Sequence, residues 1–281
     1  MNTFLTDSAA ALWAASSGLI APAIVFALIA LIVRGVAAFK VAREAAHEVR
    51  FNIALFVVDI VFVTPLIVLA INAVHLTLQS NHLILPMSQT WAALPGVLVA
   101  FIAIFLGDFV AYWRHRLEHT DALWPSHVMH HSDTAMTWTT GLRFHPINRL
   151  TTSLIDTTFL ALLGFPTWVL VLNNLVRHHY GLFIHMDLPW TYSRLGRVFV
   201  SPAMHRWHHI RDANGAGVNF ATVFSVFDQA FGTFHVPGPC TVPLGVRDNV
   251  GSGLIAQLLW PFRVIWRAIA PSPMATQRNP D

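Results

Sequence analysis

Charge is scarce in this sequence. Only 11% of its residues are Asp, Glu, Lys or Arg and 55% are apolar, against roughly 25% and 45–50% in an ordinary soluble domain. So few charges cannot cover the water-facing surface of a soluble globule built from 281 residues, and the chain reads as an integral membrane protein. Cysteine is nearly absent as well. With Cys240 alone, an internal disulfide and a thiolate cage for a metal are both excluded. No Ser/Gly-rich or charge-rich linker divides the chain, and it carries no internal repeat or low-complexity tract, so one domain is expected. The net charge of +3 comes from Lys and Arg that are scattered or flank apolar runs; this leaves no basic stripe for nucleic acid.

What is abundant is hydrocarbon, in ordered runs. Gly18 to Val33, Ile53 to Val74 (interrupted by Asp59) and Leu94 to Val110 (with Asp108 near its end) each approach the roughly 20 residues needed to cross a bilayer core. The first run lacks a preceding positive segment and a following small-residue cleavage site, so it is expected to stay as a helix and not to be removed as a signal peptide. Arg34, Lys40, Arg43 and Arg50 separate the first two runs, whereas residues 75–93 contain no Lys or Arg. The positive-inside rule then places 34–50 in the cytoplasm and brings the third run back there near Tyr112. An all-α fold is expected: a membrane helical bundle with a histidine-rich helical cap on its cytoplasmic face. Residues 1–94 would form N-terminal transmembrane helices, 95–236 a second region ending in the cap, and 237–281 an interfacial helix and tail.

Histidine is the other abundance. Twelve of the 16 histidines fall in residues 115–145 and 178–209, under a quarter of the chain. Their spacing is regular. His115 and His119 are four apart, and His127, His130 and His131 follow an HxxHH pattern that His205, His208 and His209 repeat. Residues three and four apart share a helix face, so each motif aims several imidazoles in one direction. A single histidine pair would be as well explained by core hydrogen bonding. Three clustered motifs point instead to metal ligation, and eight converging imidazoles exceed the four that one tetrahedral ion needs, which implies two ions. Imidazole suits Fe, Zn, Cu or Ni, and spacing does not choose among them. His47, His75, His82 and His235 have no partner at helical spacing and are read as structural.

Ligating imidazoles usually donate their second N–H to a carboxylate or carbonyl. The acids near the motifs are Asp108, Glu118, Asp133, Asp187, Asp212 and Asp228. Asp228, which interrupts the apolar run "VFSVFDQAFGTF", is the sharpest candidate because a charge there needs a partner. It and Asp108 are expected to act in the site.

The series HxxxH, HxxHH and HxxHH, set in "DFVAYWRHRLEH", "LRFHP", "SPAMHRWHH" and "FDQAFGTF", resembles the fatty acid hydroxylase/sterol desaturase superfamily of membrane di-iron enzymes over residues 95–236. The resemblance implies two Fe ions held by histidine alone and O2-dependent hydroxylation or desaturation of a lipid C–H bond. The lipid would be sterol-like, an ether lipid or fatty-acyl, drawn from the bilayer. It also implies an external electron donor of ferredoxin or cytochrome b5 type, and an integral membrane location, expected in a bacterial inner membrane. "LVRHHYGLFIHMDL" departs from the family pattern. His185, in "FIHMDL", is similar to a family ligand element; His178, two helical turns earlier, shares its face, while His179 points about 100° away. His145, before Pro146, is either a ligand or partner of one, or a helix cap. A histidine-rich metal-binding or metal-transport protein, and a haem-binding electron carrier, are the competing classes.

Because all three motifs must meet, the segment between His131 and His178 has to leave the histidine side and return. "GFP" at residues 164–166 predicts a shallow hairpin of two half-length helices, Thr151 to Leu163 and Thr167 to Val176. The stretch "LIAQLLWPFRVIWRAI" predicts one amphipathic helix lying on the leaflet.

Overall fold

A computed structural model describes residues 2–211 and 217–270, which places Asp212 outside the described residues. Among these the fold is helical, with one isolated bridge between Ile210 and Leu244. The long elements are α1 (Asn2–Arg34), a short α2 (Ala37–Glu44), and α3 (Ala46–Val58), which runs into α4 (Thr64–Ser80) through a π-helical turn at Asp59–Val63. Then come a short α5 (Ser88–Ala93) and α6 (Gly96–Glu118). Asp7–Arg34, Ala46–Ser80 and Gly96–Glu118 are long and apolar enough to cross a membrane. The π turn falls where the sequence requires one. Pro65 has no N–H to give to the helical ladder, so the ladder slips by one residue there.

The second half of the chain consists of α7 (Trp124–His131), α8 (Pro146–Leu162), α9 (Thr167–Ile184), α10 (Pro202–His208), α11 (Val226–Ala230), α12 (Leu254–Leu258) and α13 (Trp260–Ile269). Helices α8 and α9 form the expected hairpin, but not a shallow one. At 17 and 18 residues they are each about 26 Å long, and their turn reaches the far end of α6. There the Leu85 N–H donates to Leu162 O (2.9 Å) and the Trp91 indole N–H to Leu163 O (3.0 Å), while Trp91 stacks on Phe165. Gly164 closes the turn at φ +66°, where a Cβ would lie 2.5 Å from Leu85 O; only glycine fits. The half-length reading starts after Arg149 and stops before Arg177, whereas the helices run on through both. Asp156 of α8 and Arg177 of α9 pair with each other (2.8 Å) and Asp156 with Arg114 of α6 (2.9 Å), so their charges are neutralised inside the bundle.

Both ends of the hairpin therefore return to the end of α6 that carries His115 and His119. Close packing holds this geometry. Gly107 leaves room for Asn173 of α9, whose Oδ1 lies 2.5 Å from where a Cβ would stand. Val99 and Ala103 meet Leu160, Phe165 and Val169 in a buried cluster. The C-terminal helix is also corrected. It breaks at Leu259, because Pro261 in the first turn of α13 cannot continue a hydrogen-bonded helix. Phe262, Ile265 and Trp266 remain exposed as an apolar face. Gln257 of α12, by contrast, is buried and accepts from Ser132 at the end of α7 (3.2 Å).

Candidate metal centre

Four helix ends bring the histidines together. His115 lies in the last turn of α6, with His119 as its C-terminal cap residue. Pro125 opens α7, which carries His127, His130 and His131. His185 caps the C-terminus of α9. In α10, the Ser201 hydroxyl accepts the Met204 N–H (3.1 Å) and Pro202 fills the first turn, fixing the start of the helix that presents His205, His208 and His209.

Nine of the twelve histidines that sequence singles out converge into two groups. One holds His115, His119, His127, His131 and His208; the other holds His130, His185, His205 and His209. In each, the candidate ligand nitrogens lie within 4.8 Å of one another. The two HxxHH motifs are used reciprocally. His127 and His131 go to the first group and His130 to the second, while His205 and His209 go to the second and His208 to the first. Each short helix therefore bridges both groups.

Tautomers follow from the backbone. Carbonyl oxygens only accept, so the Nδ1–H of His115 donates to Phe220 O (2.8 Å), of His130 to Arg143 O (3.1 Å), of His185 to Gly181 O (2.6 Å) and of His208 to Val218 O (2.8 Å). In a neutral imidazole the Nε2 is then a bare lone pair. His130 Nε2 and His185 Nε2 face each other at 3.2 Å, two lone pairs with no proton between them, and the buried His208 Nε2 has no hydrogen-bond partner among the described residues. A shared cation removes this repulsion. Two nitrogens at right angles on one ion, each bonded at about 2.1 Å, stand about 3 Å apart; the Nε2 contacts among His115, His127 and His131, and among His185, His205 and His209, are 3.0–3.2 Å. The donor set fits metal ions. Burial pushes the imidazoles of His127, His130, His131, His205 and His209 well below the usual histidine range, and those of His185 and His208 to about 4. The neutral, ligating form is thus the one present at neutral pH.

The remaining sequence candidates lie elsewhere. His178 and His179 belong to neither group: the face argument for His178 holds, but seven residues of helix separate it from His185 by about 10 Å. The His179 Nδ1–H donates to Leu175 O within its own helix (2.9 Å). His145 caps α8, its Nδ1 accepting from the Ile147 N–H and its Nε2–H donating to Leu258 O.

Asp108 and Asp228 are buried but do not point at the ligand nitrogens. Asp228 accepts from the backbone N–H of Phe220 (2.7 Å) and Ala221 (3.1 Å) and from the Thr233 hydroxyl (2.7 Å). Asp108 accepts from the N–H groups of Thr222, Val223 and Phe224. Together they clamp residues 220–224, whose Phe220 carbonyl orients His115. Burial pushes the Asp228 carboxyl up to about 6 against the pull of its three donors, so it is still ionised at neutral pH. Glu118 holds Arg114 through both oxygens and lies 3.6 Å from His127 Nδ1. Asp133 accepts from Asn52 and Thr140, and Asp187 pairs with Arg34 and Arg206; both brace the cap against α3 and α1.

Sequence reasoning missed Arg143, although it quoted "LRFHP". Arg143 is fully buried, donates to Glu48 and Asn52 of α3, to Met129 O and to Ser132, and offers its own carbonyl to His130. It also missed the Arg114–Asp156–Arg177 chain, whose one sequence signal is an acid isolated inside an apolar run.

Residues 100–233 match the family model described as fatty acid hydroxylase. The chain is 31% identical to an ornithine lipid hydroxylase of Rhizobium tropici over 170 residues, 60% of this chain and 51% of that protein. It is 33% identical to the alkylglycerol monooxygenase of Homo sapiens over 133 residues, 47% and 29% of the two chains. A very-long-chain aldehyde decarbonylase of Oryza sativa subsp. indica is 30% identical over 156 residues, 53% and 55%. The matched region thus spans about half or less of each of these relatives. No solved structure matches the chain at comparable significance.

Proposed function

We propose, taking as premise that the histidine-bearing residues 100–233 belong to the fatty acid hydroxylase family, that the protein is a membrane di-iron oxidoreductase that uses O2 to oxidise a C–H bond of a lipid. The observation that carries this reading is the reciprocal sharing of the two HxxHH motifs between two all-histidine groups. A site for one ion, or a pair of axial haem ligands, would not need it. His115, His119, His127, His131 and His208 would hold one iron, and His130, His185, His205 and His209 the other. Iron bound in this way supplies O2 activation with two electrons from an external donor of ferredoxin or cytochrome b5 type.

The protein's own part is placement and exclusion of water. The Nδ1–H donors fix each ring, burial keeps the imidazoles neutral, and a cavity of about 690 Å³ bordered by His115, His127, His130, His185 and His205 gives the lipid access. The relatives named as hydroxylase and monooxygenase favour hydroxylation, in which one oxygen enters the product and the other leaves as water. With iron, reductant, donor and 18O2, one labelled oxygen is expected in the lipid. A product two hydrogens lighter and unlabelled would make the enzyme a desaturase. No oxygen consumption by iron-loaded protein across sterol, ether-lipid and fatty-acyl pools would overturn the enzymatic reading.

The histidine groups are proposed to face the cytoplasm. Arg34 pairs with Asp187, two residues from His185, and Glu48 with Arg143, so the positively charged 34–50 segment lies at the histidine end, where the positive-inside rule puts the cytoplasm. With Cys240 replaced, an impermeant thiol reagent outside intact cells is expected to label Ser80→Cys but not Thr120→Cys or Ser193→Cys. Labelling of Ser193→Cys would reverse the orientation.

A further inference from the structure

The cavity beside the histidines is mostly apolar in lining but carries one polar wall. On α8, positions 149, 152, 153, 156 and 157 form one helical face, and all five border the cavity as Arg149, Thr152, Ser153, Asp156 and Thr157. Asn174 and His178 of α9 border it too. A pocket for a methylene chain or a ring system would carry apolar residues at these positions.

The charges along this face are unequally satisfied. Asp156 is taken by Arg114 and Arg177, and Arg114 also holds Glu118. The Arg149 side chain makes no hydrogen bond to a described residue. Its one partner is Asp59 of the π turn, at 3.5 Å, and its side chain is 37% exposed. The Ser153 and Thr157 hydroxyls also lack a hydrogen-bond partner among the described residues, since none of the bonds formed there involves them. Beyond the Nε–H that faces Asp59, four guanidinium N–H donors and two hydroxyls thus open on a cavity that also borders the apolar helices, where unmet donors are costly. Apart from Asp59, the opposite wall is apolar. Gly18 and Leu19 of α1, Ile60 and Ile71 border it, and a Cβ on Gly18 would meet nothing within 4 Å.

We infer that this cavity takes an amphiphile head group first. An oxyanion of the head group, carboxylate or phosphate, sits on the Arg149 guanidinium; its neutral polar groups lie along Ser153, Thr157 and His178; and the hydrocarbon tail leaves past Gly18 and Ile71 into the bilayer. His178, although not placed to ligate the metals, then has a role in recognition. The inference rests on the lipid-oxidising reading and sharpens it: the bond oxidised lies in the head group or on the carbons next to it, because the polar face and the metal-facing histidines border the same cavity.

Binding separates this inference from turnover. Full-length protein in nanodiscs at pH 8 is titrated with dodecyl phosphate, dodecanoate and dodecanol, three probes of equal chain length. The anionic probes are expected to bind at least about tenfold more tightly than dodecanol, the scale of one charge-assisted contact, and the stronger of the two identifies phosphate or carboxylate as the natural group. Arg149→Gln should reduce both anions to the dodecanol level, while Arg149→Lys keeps part of the preference; iron content, measured in parallel, should not change. If Arg149→Gln misfolds, Ser153→Ala, a smaller change at the same face, should still weaken anionic probe binding. Equal binding of the three probes by the wild-type protein, or undiminished anion binding by Arg149→Gln, would overturn the inference. With 18O2 and the native lipid pool, fragmentation should place the label in or beside the head group; a mid-chain label would also overturn it. Loss of iron or of oxygen consumption in the wild type, with anion-selective binding intact, would instead count against the oxidase reading alone.

Discussion

Replacing either His130 or His208 with alanine is expected to abolish product formation, and the double variant should be no less active than either single one. The two residues serve different groups: His208 stands with His115, His119, His127 and His131, and His130 with His185, His205 and His209. If both groups must be filled for O2 to be used, losing either is enough, and the second loss adds nothing, as for residues that act as a unit. Metal content should behave differently. Wild-type protein is expected to carry about two ions per chain, because five and four imidazoles exceed the needs of one ion. Each single variant should fall toward one and the double toward none. His75→Ala, far from both groups at the other end of α4, should leave the content unchanged. Elemental analysis of iron-reconstituted protein reads all of this. One ion per chain in the wild type, unchanged by His208→Ala, would reduce the centre to a mononuclear or adventitious site and remove the reason for the reciprocal motifs.

The extent to which this site was legible follows the range of the interactions that build it. Spacings of three and four are local, so the convergence of His127, His130 and His131 on one side of a helix was readable. The division of that same motif between two groups was not, because it depends on where α10, some seventy residues later, sets His205, His208 and His209. Periodicity also put His178 on the face of His185, yet it does not weigh the distance along the helix, which takes His178 out of reach. The hairpin depth was misjudged for a different reason. Hydropathy treats Asp156 and Arg177 as costs, and their mutual pairing, along with that of Arg114, exists only once α6, α8 and α9 are side by side. Arg143 shows the limit most clearly: its partners Glu48, Asn52, Met129 and Ser132 come from two separate helices and the end of one of them, and nothing in "LRFHP" announces them.

The acids inside the apolar runs were legible as residues needing partners, but the partners were not, and this sets the second large effect. Asp108→Asn and Asp228→Asn are each expected to lower kcat by about 10–100-fold with little change in KM, the range seen when groups that orient metal ligands are removed. Neither carboxylate is aimed at substrate or at a ligand nitrogen. Both act through residues 220–224, where five successive backbone N–H groups are shared between them and the Phe220 carbonyl receives the Nδ1–H of His115 at 2.8 Å. An asparagine has one acceptor oxygen where aspartate has two. In Asp228→Asn, keeping the oxygen toward Phe220 and Thr233 turns the NH2 group onto the Ala221 N–H, so the 220–224 segment must shift and His115 with it. Each substitution should also cost roughly 1–3 kcal/mol of stability, the penalty for a buried donor left unpaired. Stability alone does not distinguish a brace from a positioning residue, so the deciding readout is spectroscopic. The signature of the iron held by the group containing His115 should change while that of the other iron stays as in the wild type. A fall in Tm with kcat and both iron signatures untouched would make Asp108 and Asp228 structural braces only, and would break the proposed line from the 220–224 backbone to the metal centre.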